Sequence, residues 1–126
     1  MSKKIFVIDD EPDALISIKS WGEEKGYQVT TFENSDNFLD RLLEVKPEIV
    51  LVDINLKDDD GRNICHDLKN ILPFPVKIIL ISADATALLD YHSHYADGIL
   101  NKPFTFTELE HKLKQQLKKS QSRRRM

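Results

Sequence analysis

Five polar residues of this 126-residue chain each end or follow an apolar, strand-like run. If folding brings them together, their side chains could carry out phosphoryl chemistry. They are Asp9, Asp10, Asp53, Ser82 and Lys102. Neighbouring carboxylates repel one another, and a divalent cation or a raised pKa would relieve that repulsion. Oxygen ligands favour a hard ion such as Mg²⁺, which keeps some waters and leaves positions open for a phosphoryl oxygen. A lysine ammonium and a serine hydroxyl are both suitable donors to phosphoryl oxygens.

The elements that must position these residues alternate between strand and helix. Apolar runs at 5–8, 49–52 and 78–81 are typical of strands buried on both faces of a parallel sheet. Two further strands are predicted at 28–32 and 98–101. The sequence therefore predicts an α/β fold, a doubly wound parallel sheet of five strands with five helices and right-handed crossovers.

Three of the expected helices have defined features. The fourth should run from Thr86 to His92. The last should begin at Thr107, with Thr107 and Glu110 forming a capping box. The second should begin near Asp36 and bury one apolar face, formed by Phe38, Leu39, Leu42 and Leu43.

The predicted sheet should bring polar residues that are distant in sequence together in one site. In open parallel sheets, ligands bind beyond the carboxyl ends of the strands. The five polar residues should therefore converge on one edge, although they span 94 positions of sequence. Asp53 follows the central apolar run and is the best-placed nucleophile, because carboxylate attack on phosphorus needs positioning and charge neutralisation more than acid–base catalysis.

Composition excludes several other classes of protein. A hydrophobic fraction of 40% and a charged fraction of 31% are typical of one globular domain. The single cysteine, Cys65, cannot form an intramolecular disulfide and is expected to be a small buried residue. No apolar run approaches the roughly 20 residues of a membrane span, and the N-terminus lacks a signal-like region. A cytoplasmic protein is therefore expected.

Charge is distributed unevenly along the chain. Residues 1–110 carry 11 basic and 21 acidic residues, which sum to −10, whereas residues 111–126 carry 7 basic residues and no acidic one. Such a basic end could contact nucleic acid or an acidic membrane, but a solvated helix end and frayed terminus is the favoured interpretation. We predict one domain over residues 1–119 and a disordered basic tail over residues 120–126.

The ordered set of motifs resembles the receiver domain of two-component response regulators, in the CheY-like superfamily, from about Lys4 to Lys119. The motifs are Asp9-Asp10-Glu11-Pro12, Asp53 with Gly61 eight residues later, Ser82-Ala83 and Lys102-Pro103-Phe104. The resemblance implies a flavodoxin-like sheet with strand order 2-1-3-4-5. It also implies Mg²⁺-dependent transfer of a phosphoryl group from a sensor histidine kinase, or a phosphotransfer protein, to Asp53. The chain would be a signalling switch that catalyses only its own phosphorylation and dephosphorylation.

The resemblance also assigns residues to the site. The ligands of Mg²⁺, or of Mn²⁺ as a substitute, would be Asp9, Asp10, Asp53 and the backbone carbonyl of Asn55. The phosphoryl group would be bound by Ser82, the Ala83 amide and Lys102. Asn55 and Asp84 occupy positions that tune hydrolysis of the acyl phosphate in the family.

Three departures from the family pattern alter these expectations. Ile99 replaces the aromatic residue that rotates inward in many relatives, so we predict that its rotation on phosphorylation is small. Lys57 stands where relatives often have proline, which favours a more mobile loop. Ser82 replaces the usual threonine and lacks the methyl group that restricts χ1.

Partner binding is expected on the side of the fourth helix, fifth strand and fifth helix. No DNA-binding domain and no membrane contact are expected, and the chain should be a monomer or a weak dimer. His92 and His94 are two residues apart, which makes them poor joint metal ligands on a helix. The candidate docking residues on that side are Leu88, Leu89, Tyr91, Tyr95 and Phe106.

Other functions remain open at this point. A Mg²⁺-dependent phosphatase of the haloacid dehalogenase type would need a second aspartate where the chain has Asn55. A flavodoxin-like flavin binder would need a phosphate loop where Asp9-Asp10-Glu11 would repel phosphate. A binding module that has lost phosphorylation is disfavoured, because every pocket residue is present. Whether the chain acts alone or comes from a longer regulator also stays open.

Overall fold

Strands and helices alternate along the residues that the computed structural model describes, which are 3–57, 59–90 and 95–125, with α4 side chains described to residue 118. The strands are β1 (Lys4–Ile8), β2 (Gln28–Phe32), β3 (Ile49–Asp53), β4 (Lys77–Ser82) and β5 (Gly98–Asn101). The helices are α1 (Pro12–Glu24), α2 (Phe38–Val45), α3 (Gly61–Ile71) and α4 (Phe106–Arg125), with a short 3₁₀ helix at Ala85–Leu88.

The five strands form one parallel sheet in the order β2-β1-β3-β4-β5, as predicted. β3 is the central strand, and its Val50 lies opposite Phe6 of β1 and Ile78 of β4. Because parallel strands all end at the same edge, the residues that follow β1, β3, β4 and β5 meet there.

Both faces of the sheet are covered by apolar layers. Alternate residues of β3 point to opposite faces, so Val50 and Val52 join one core while Ile49 and Leu51 join the other. All four of these side chains are fully buried, which explains why the strand reads as a continuous apolar run. Cys65 is buried in the first of these cores, as expected.

The apolar face of α2 is narrower than predicted. Phe38 and Leu42 are buried, but Leu39 and Leu43 are 37% and 39% exposed. Each exposed leucine directly follows a buried residue, and one residue turns a helix by about 100°. The two leucines therefore lie at the border of the buried stripe, and the prediction that they point inward was wrong.

The segment after β4 does not form the predicted α-helix in its described part. A 3₁₀ helix covers Ala85–Leu88, and Leu89 and Asp90 then form a turn. Leu88 is buried and Ala87 packs beside it on the core, but Leu89 is 79% exposed. The described residues thus contain four α-helices rather than five; the rest of the predicted helix, through His92, lies outside them.

The last helix begins one residue earlier than predicted, with a different capping box. The Thr105 hydroxyl accepts a hydrogen bond from the Glu108 amide (3.1 Å), and Glu108 Oε1 accepts one from the Thr105 amide (3.2 Å). This start places the Phe106 ring parallel to that of Trp21, with centroids 5.2 Å apart. α4 continues past residue 119, and the domain boundary there stays a prediction. Within the described ranges, no helix has both the length and the apolar character needed to cross a bilayer.

Candidate functional site

Three carboxylates meet at the carboxyl edge of the sheet. Asp9 and Asp10 follow β1, and Asp53 is the last residue of β3. One carboxylate oxygen from each lies within 4.8 Å of those of the other two. Asp9 and Asp53 are only 1% and 4% exposed, whereas Asp10 is half-buried. We call Asp9, Asp10 and Asp53 the acidic cluster.

Lys102 bridges two members of the acidic cluster. Its Nζ lies 2.7 Å from Asp9 Oδ2 and 2.7 Å from Asp53 Oδ2, and 3.7 Å from Oε1 of the exposed Glu11. Burial alone would lower the pKa of Lys102, but its hydrogen bonds to Asp53 and Asp9 raise that pKa overall. Lys102 therefore stays an ammonium cation at neutral pH and holds two carboxylates together.

The Asp53 carboxylate is fixed through both of its oxygens. Oδ2 accepts the hydrogen bond from Lys102, and Oδ1 accepts one from the Asn55 amide at 2.8 Å. Burial raises the pKa of Asp53, although hydrogen bonds from Lys102 and Asn55 partly oppose this effect. The ionised carboxylate is thus oriented but poorly solvated, which is a state suited to nucleophilic attack.

The loop after β3 folds back tightly over Asp53. The Gly61 amide donates to the Ile54 carbonyl at 2.9 Å, and Asn55 and Asp60 form an isolated backbone bridge. A Cβ at position 61 would collide with the backbone carbonyl of Asp53. Glycine is therefore needed eight residues after Asp53 for this close approach. Lys57 is exposed on the same loop.

Ser82, the last residue of β4, and the residues that follow it lie at the same edge of the sheet as the acidic cluster. Ser82 is fully buried, and its Oγ accepts a hydrogen bond from the Asp84 amide at 3.0 Å. Ala83 and Asp84 are exposed. The Asp84 carboxylate accepts a hydrogen bond from the Thr86 amide (2.9 Å) and so caps the 3₁₀ helix. Asp84 thus has a local structural partner besides any role in hydrolysis.

The residues predicted to lie on the partner-docking side differ in how deeply they are buried. Ile99 is half-buried against the same core as Leu88. Tyr95 is 50% exposed and, with Leu89, leaves apolar surface on that side, whereas Phe106 is 41% exposed and stacks on Trp21 of α1. The Tyr95 ring contacts His66 of α3, with ring centroids 4.9 Å apart. The candidates that lie outside the described residues are Tyr91, His92 and His94.

The sequence analysis missed Asn101, the last residue of β5. Its side-chain amide donates to the Ser82 carbonyl at 2.9 Å, next to Lys102. No sequence signal specified this contact, because it depends on the register of β4 and β5, which places Asn101 opposite Ser82.

The acidic cluster fits a divalent cation. Three ionised carboxylates and one ammonium give −3 + 1 = −2 at the site, which one divalent ion would neutralise. All the donor atoms of the cluster are carboxylate oxygens, the ligands preferred by Mg²⁺ and similar hard ions. The site could therefore bind Mg²⁺ together with an anionic group placed near Lys102 and Ser82.

Comparisons with known proteins find a matching family model and similar regulatory proteins. Residues 5–114 match the family model of the response regulator receiver domain. In Bacillus subtilis, the alkaline phosphatase synthesis transcriptional regulatory protein PhoP is 28% identical over 122 residues, covering 96% of this chain and 51% of that protein. The transcriptional regulatory protein YxdJ is 26% identical over 117 residues, covering 93% and 51%. The chain thus spans about half the length of these curated relatives.

Solved structures share the fold over nearly their whole length. The response regulator TrrA of Thermotoga maritima, in complex with Mg(2+)-BeF, has a TM-score of 0.81 and 31% identity, covering 90% of this chain and 98% of that chain. A CheY-like receiver domain protein of Methanospirillum hungatei has a TM-score of 0.88 and 24% identity, covering 98% and 99%. At that identity the second similarity supports the fold alone.

Proposed function

This chain belongs to the response regulator receiver domain family of two-component signalling switches, and from that premise we propose that Asp53 is its phosphoacceptor. The observation that carries the proposal is the setting of the Asp53 carboxylate. It ends the central strand, is 4% exposed, and is held between Lys102 Nζ and the Asn55 amide. The donor would be a phosphohistidine of a sensor kinase or of a phosphotransfer protein.

The proposed reaction is a direct transfer between two side chains. A carboxylate oxygen of Asp53 forms a bond to phosphorus while the bond from phosphorus to the histidine nitrogen breaks. The nitrogen keeps the electron pair of the broken bond and takes a proton from solvent. Because such transfers depend on positioning and charge neutralisation, the two hydrogen bonds that orient Asp53 support this role.

Mg²⁺ would be held by the acidic cluster and the backbone carbonyl of Asn55, with Mn²⁺ as a substitute. When bound, such an ion neutralises negative charge on the phosphoryl oxygens. The Mg(2+)-BeF complex of TrrA, which is 31% identical, supports this assignment. Lys102 already contacts two carboxylates of the cluster and would pair with the phosphoryl group as well.

Ser82 and the Ala83 amide would bind the phosphoryl oxygens. Ser82 Oγ is an acceptor in its bond with the Asp84 amide, so its hydroxyl proton remains available for donation. We further propose that Ile99, an aliphatic side chain packed against the core, rotates little when this happens. A large phosphorylation-dependent change in the Ile99 methyl NMR signals would contradict that expectation.

Asn55 and Asp84 would tune how long the acyl phosphate survives. Both side chains are exposed, and each lies two residues after a proposed phosphoryl-site residue. Replacement of Asp84 by alanine should therefore change the lifetime of the phosphorylated form. An unchanged lifetime would remove Asp84 from the proposal.

The output would be a change in affinity for a protein partner. Leu89, after the 3₁₀ helix, and Tyr95, before β5, are both exposed, which supports docking on that side. The chain would act in the cytoplasm, where its kinase partner presents the phosphohistidine, and as a monomer or weak dimer. Light scattering of the phosphorylated and unphosphorylated forms tests the oligomeric part of this proposal.

The decisive experiment locates the phosphoryl group. The chain is incubated with acetyl phosphate and Mg²⁺, and the adduct is mapped by mass spectrometry in the wild type, Asp53→Asn and the control Asp40→Asn. Asp40 is exposed on α2, away from the acidic cluster. We expect one phosphoryl group on Asp53 in the wild type and the control, and none in Asp53→Asn.

Three results would contradict the proposal. Labelling of another residue, or labelling that does not respond to removal of Mg²⁺ by EDTA, would contradict the mechanism. Steady turnover of a generic phosphate ester such as p-nitrophenyl phosphate would instead favour a phosphatase.

A further inference from the structure

The loop that carries Lys102 directly follows a short strand at the edge of the sheet. β5 has four residues and, among the described strands, pairs with β4 alone. Lys102 directly follows its last residue, Asn101. A four-residue edge strand fixes its end weakly, because it has few ladder hydrogen bonds and no second neighbour. The position of Lys102 relative to the rest of the site therefore needs an additional constraint.

Two hydrogen bonds converge on one oxygen atom at this point. The Ser82 carbonyl accepts a hydrogen bond from the Lys102 amide at 2.8 Å and another from Asn101 Nδ2 at 2.9 Å. A carbonyl oxygen has two lone pairs, so it can accept both. Asn101 lies directly opposite Ser82 in the register of β4 and β5. The backbone amide is part of an ordinary parallel ladder, but the side-chain amide is an additional bond.

We infer that Asn101 is a positioning residue, whose side-chain amide fixes the spacing between Ser82 and Lys102. The inference rests on the proposed function, in which these two residues bind the phosphoryl group. Ser82 is fully buried, and its Oγ accepts a hydrogen bond from the Asp84 amide, while Asn101 restrains the backbone carbonyl of the same residue. The Asn101 residue itself is exposed and adds nothing to the core.

A purely structural role would give different results. If Asn101 merely completed an edge strand, its loss would weaken folding without a specific effect on phosphorylation. If Asn101 aims the Ser82 hydroxyl, its loss should slow phosphorylation in the folded protein. That cost should also depend on whether the hydroxyl is present.

The first experiment compares Asn101→Leu with the wild type. Leucine is close to asparagine in size but has no donor. We expect the initial rate of acetyl phosphate labelling, with Mg²⁺ and at a temperature where both proteins are folded by circular dichroism, to fall about fivefold. This corresponds to one neutral hydrogen bond of about 1 kcal/mol. Asn70→Leu, at an exposed position of α3, is the matched control and should keep the wild-type rate.

The second experiment is a double-mutant cycle with Ser82→Ala. Asn101→Leu should slow labelling in the wild-type background but change it less than about twofold when the hydroxyl is absent, because coupled residues are not additive. Asn101→Ala, which loses the donor without adding a charge, gives a second test if the leucine variant does not fold.

The outcomes separate this inference from the proposed function. Wild-type labelling elsewhere than on Asp53 would defeat the proposed function. Labelling of Asp53 at an equal rate in the wild type, Asn101→Leu and Asn101→Ala would overturn the role of Asn101 alone. A strictly additive cycle would also overturn it, since the loss would then be independent of the Ser82 hydroxyl.

Discussion

The two edges of the sheet bury charge in opposite ways. At the carboxyl edge, the three carboxylates of the acidic cluster share the ammonium of Lys102. At the amino edge, one carboxylate lies between two lysines. Lys69 Nζ is 2.8 Å from Asp97 Oδ2, and Lys77 Nζ is 3.7 Å from Asp97 Oδ1. We call Lys69, Lys77 and Asp97 the basal cluster.

The basal cluster has a net formal charge of only +1 and is completed by backbone groups, whereas the acidic cluster carries −2. Asp97 Oδ2 also accepts a hydrogen bond from the Ile78 amide (2.9 Å), and Lys69 Nζ also donates to the Val76 carbonyl (2.6 Å). These bonds connect α3, β4 and the residue before β5. A satisfied polar network stabilises one arrangement, while buried like charges cost free energy unless a ligand compensates them. The difference supports the proposal that the carboxyl edge is the reactive edge, and it indicates a structural role for the amino edge.

The largest effect should follow from breaking the basal cluster. Asp97→Ala would leave two lysines, one of them buried, without their carboxylate, and should lower the free energy of unfolding by about 3 kcal/mol. Urea unfolding monitored by circular dichroism measures this change. Asp36→Ala, at an exposed position, is the control. A loss below about 1 kcal/mol would mean that the basal cluster resembles an ordinary surface ion pair.

Mg²⁺ should stabilise the reactive edge and leave the basal cluster unaffected. A free Mg²⁺ concentration of 100 times the dissociation constant would add about 2.7 kcal/mol to the free energy of unfolding. Thermal unfolding with Mg²⁺ and with EDTA tests this, and Asp10→Asn should reduce the gain because it removes a carboxylate of the cluster. An equal gain in Asp10→Asn would place the ion elsewhere.

Without Mg²⁺, removal of a carboxylate from the acidic cluster should stabilise the fold. Burial raises the pKa of Asp53, so its ionised form is disfavoured in the folded state. Asp53→Asn in EDTA at pH 7 should therefore raise the free energy of unfolding by about 1 kcal/mol.

The pH dependence gives a check on the sign. A carboxyl whose pKa is raised by folding loses its contribution to stability as the pH rises, and below the unfolded value of about 4 both states are protonated. The advantage of Asp53→Asn should thus shrink as the pH falls toward that value. A variant that is less stable than the wild type at pH 7 in EDTA would show that the Lys102 bond outweighs the crowding of charge.

Much of the fold and of the reactive edge follows from the sequence. The strand at 49–53 is a continuous apolar run that ends in aspartate, and this pattern alone locates the central strand and its carboxylate. Because every parallel strand ends at the same edge, the approach of Asp9, Asp53 and Lys102 could be predicted without coordinates.

The errors arise where two local patterns compete or where register decides. Thr105 and Thr107 each precede a glutamate at capping-box spacing, and the first forms the box, with Phe106 packed on Trp21. The contact of Asn101 with the Ser82 carbonyl depends on which residues of β4 and β5 lie opposite, which no local pattern specifies. The basal cluster was missed for the same reason.

The smallest predicted effect is a change in the alkylation rate of Cys65, which serves as a probe beside the basal cluster. Burial raises the pKa of the Cys65 thiol to about 12, with Lys69 lowering it and Asp97 raising it to lesser extents. The thiol is therefore protonated at pH 8, and iodoacetamide should modify it far more slowly in the folded wild type than in urea. Because the raised pKa favours the protonated folded state, stability should fall as the pH rises from about 9.

Asp97→Ala should speed modification of Cys65 by iodoacetamide, since its lower stability opens the core more often. Equal alkylation rates in the wild type and Asp97→Ala would show that the basal cluster does not control opening around α3.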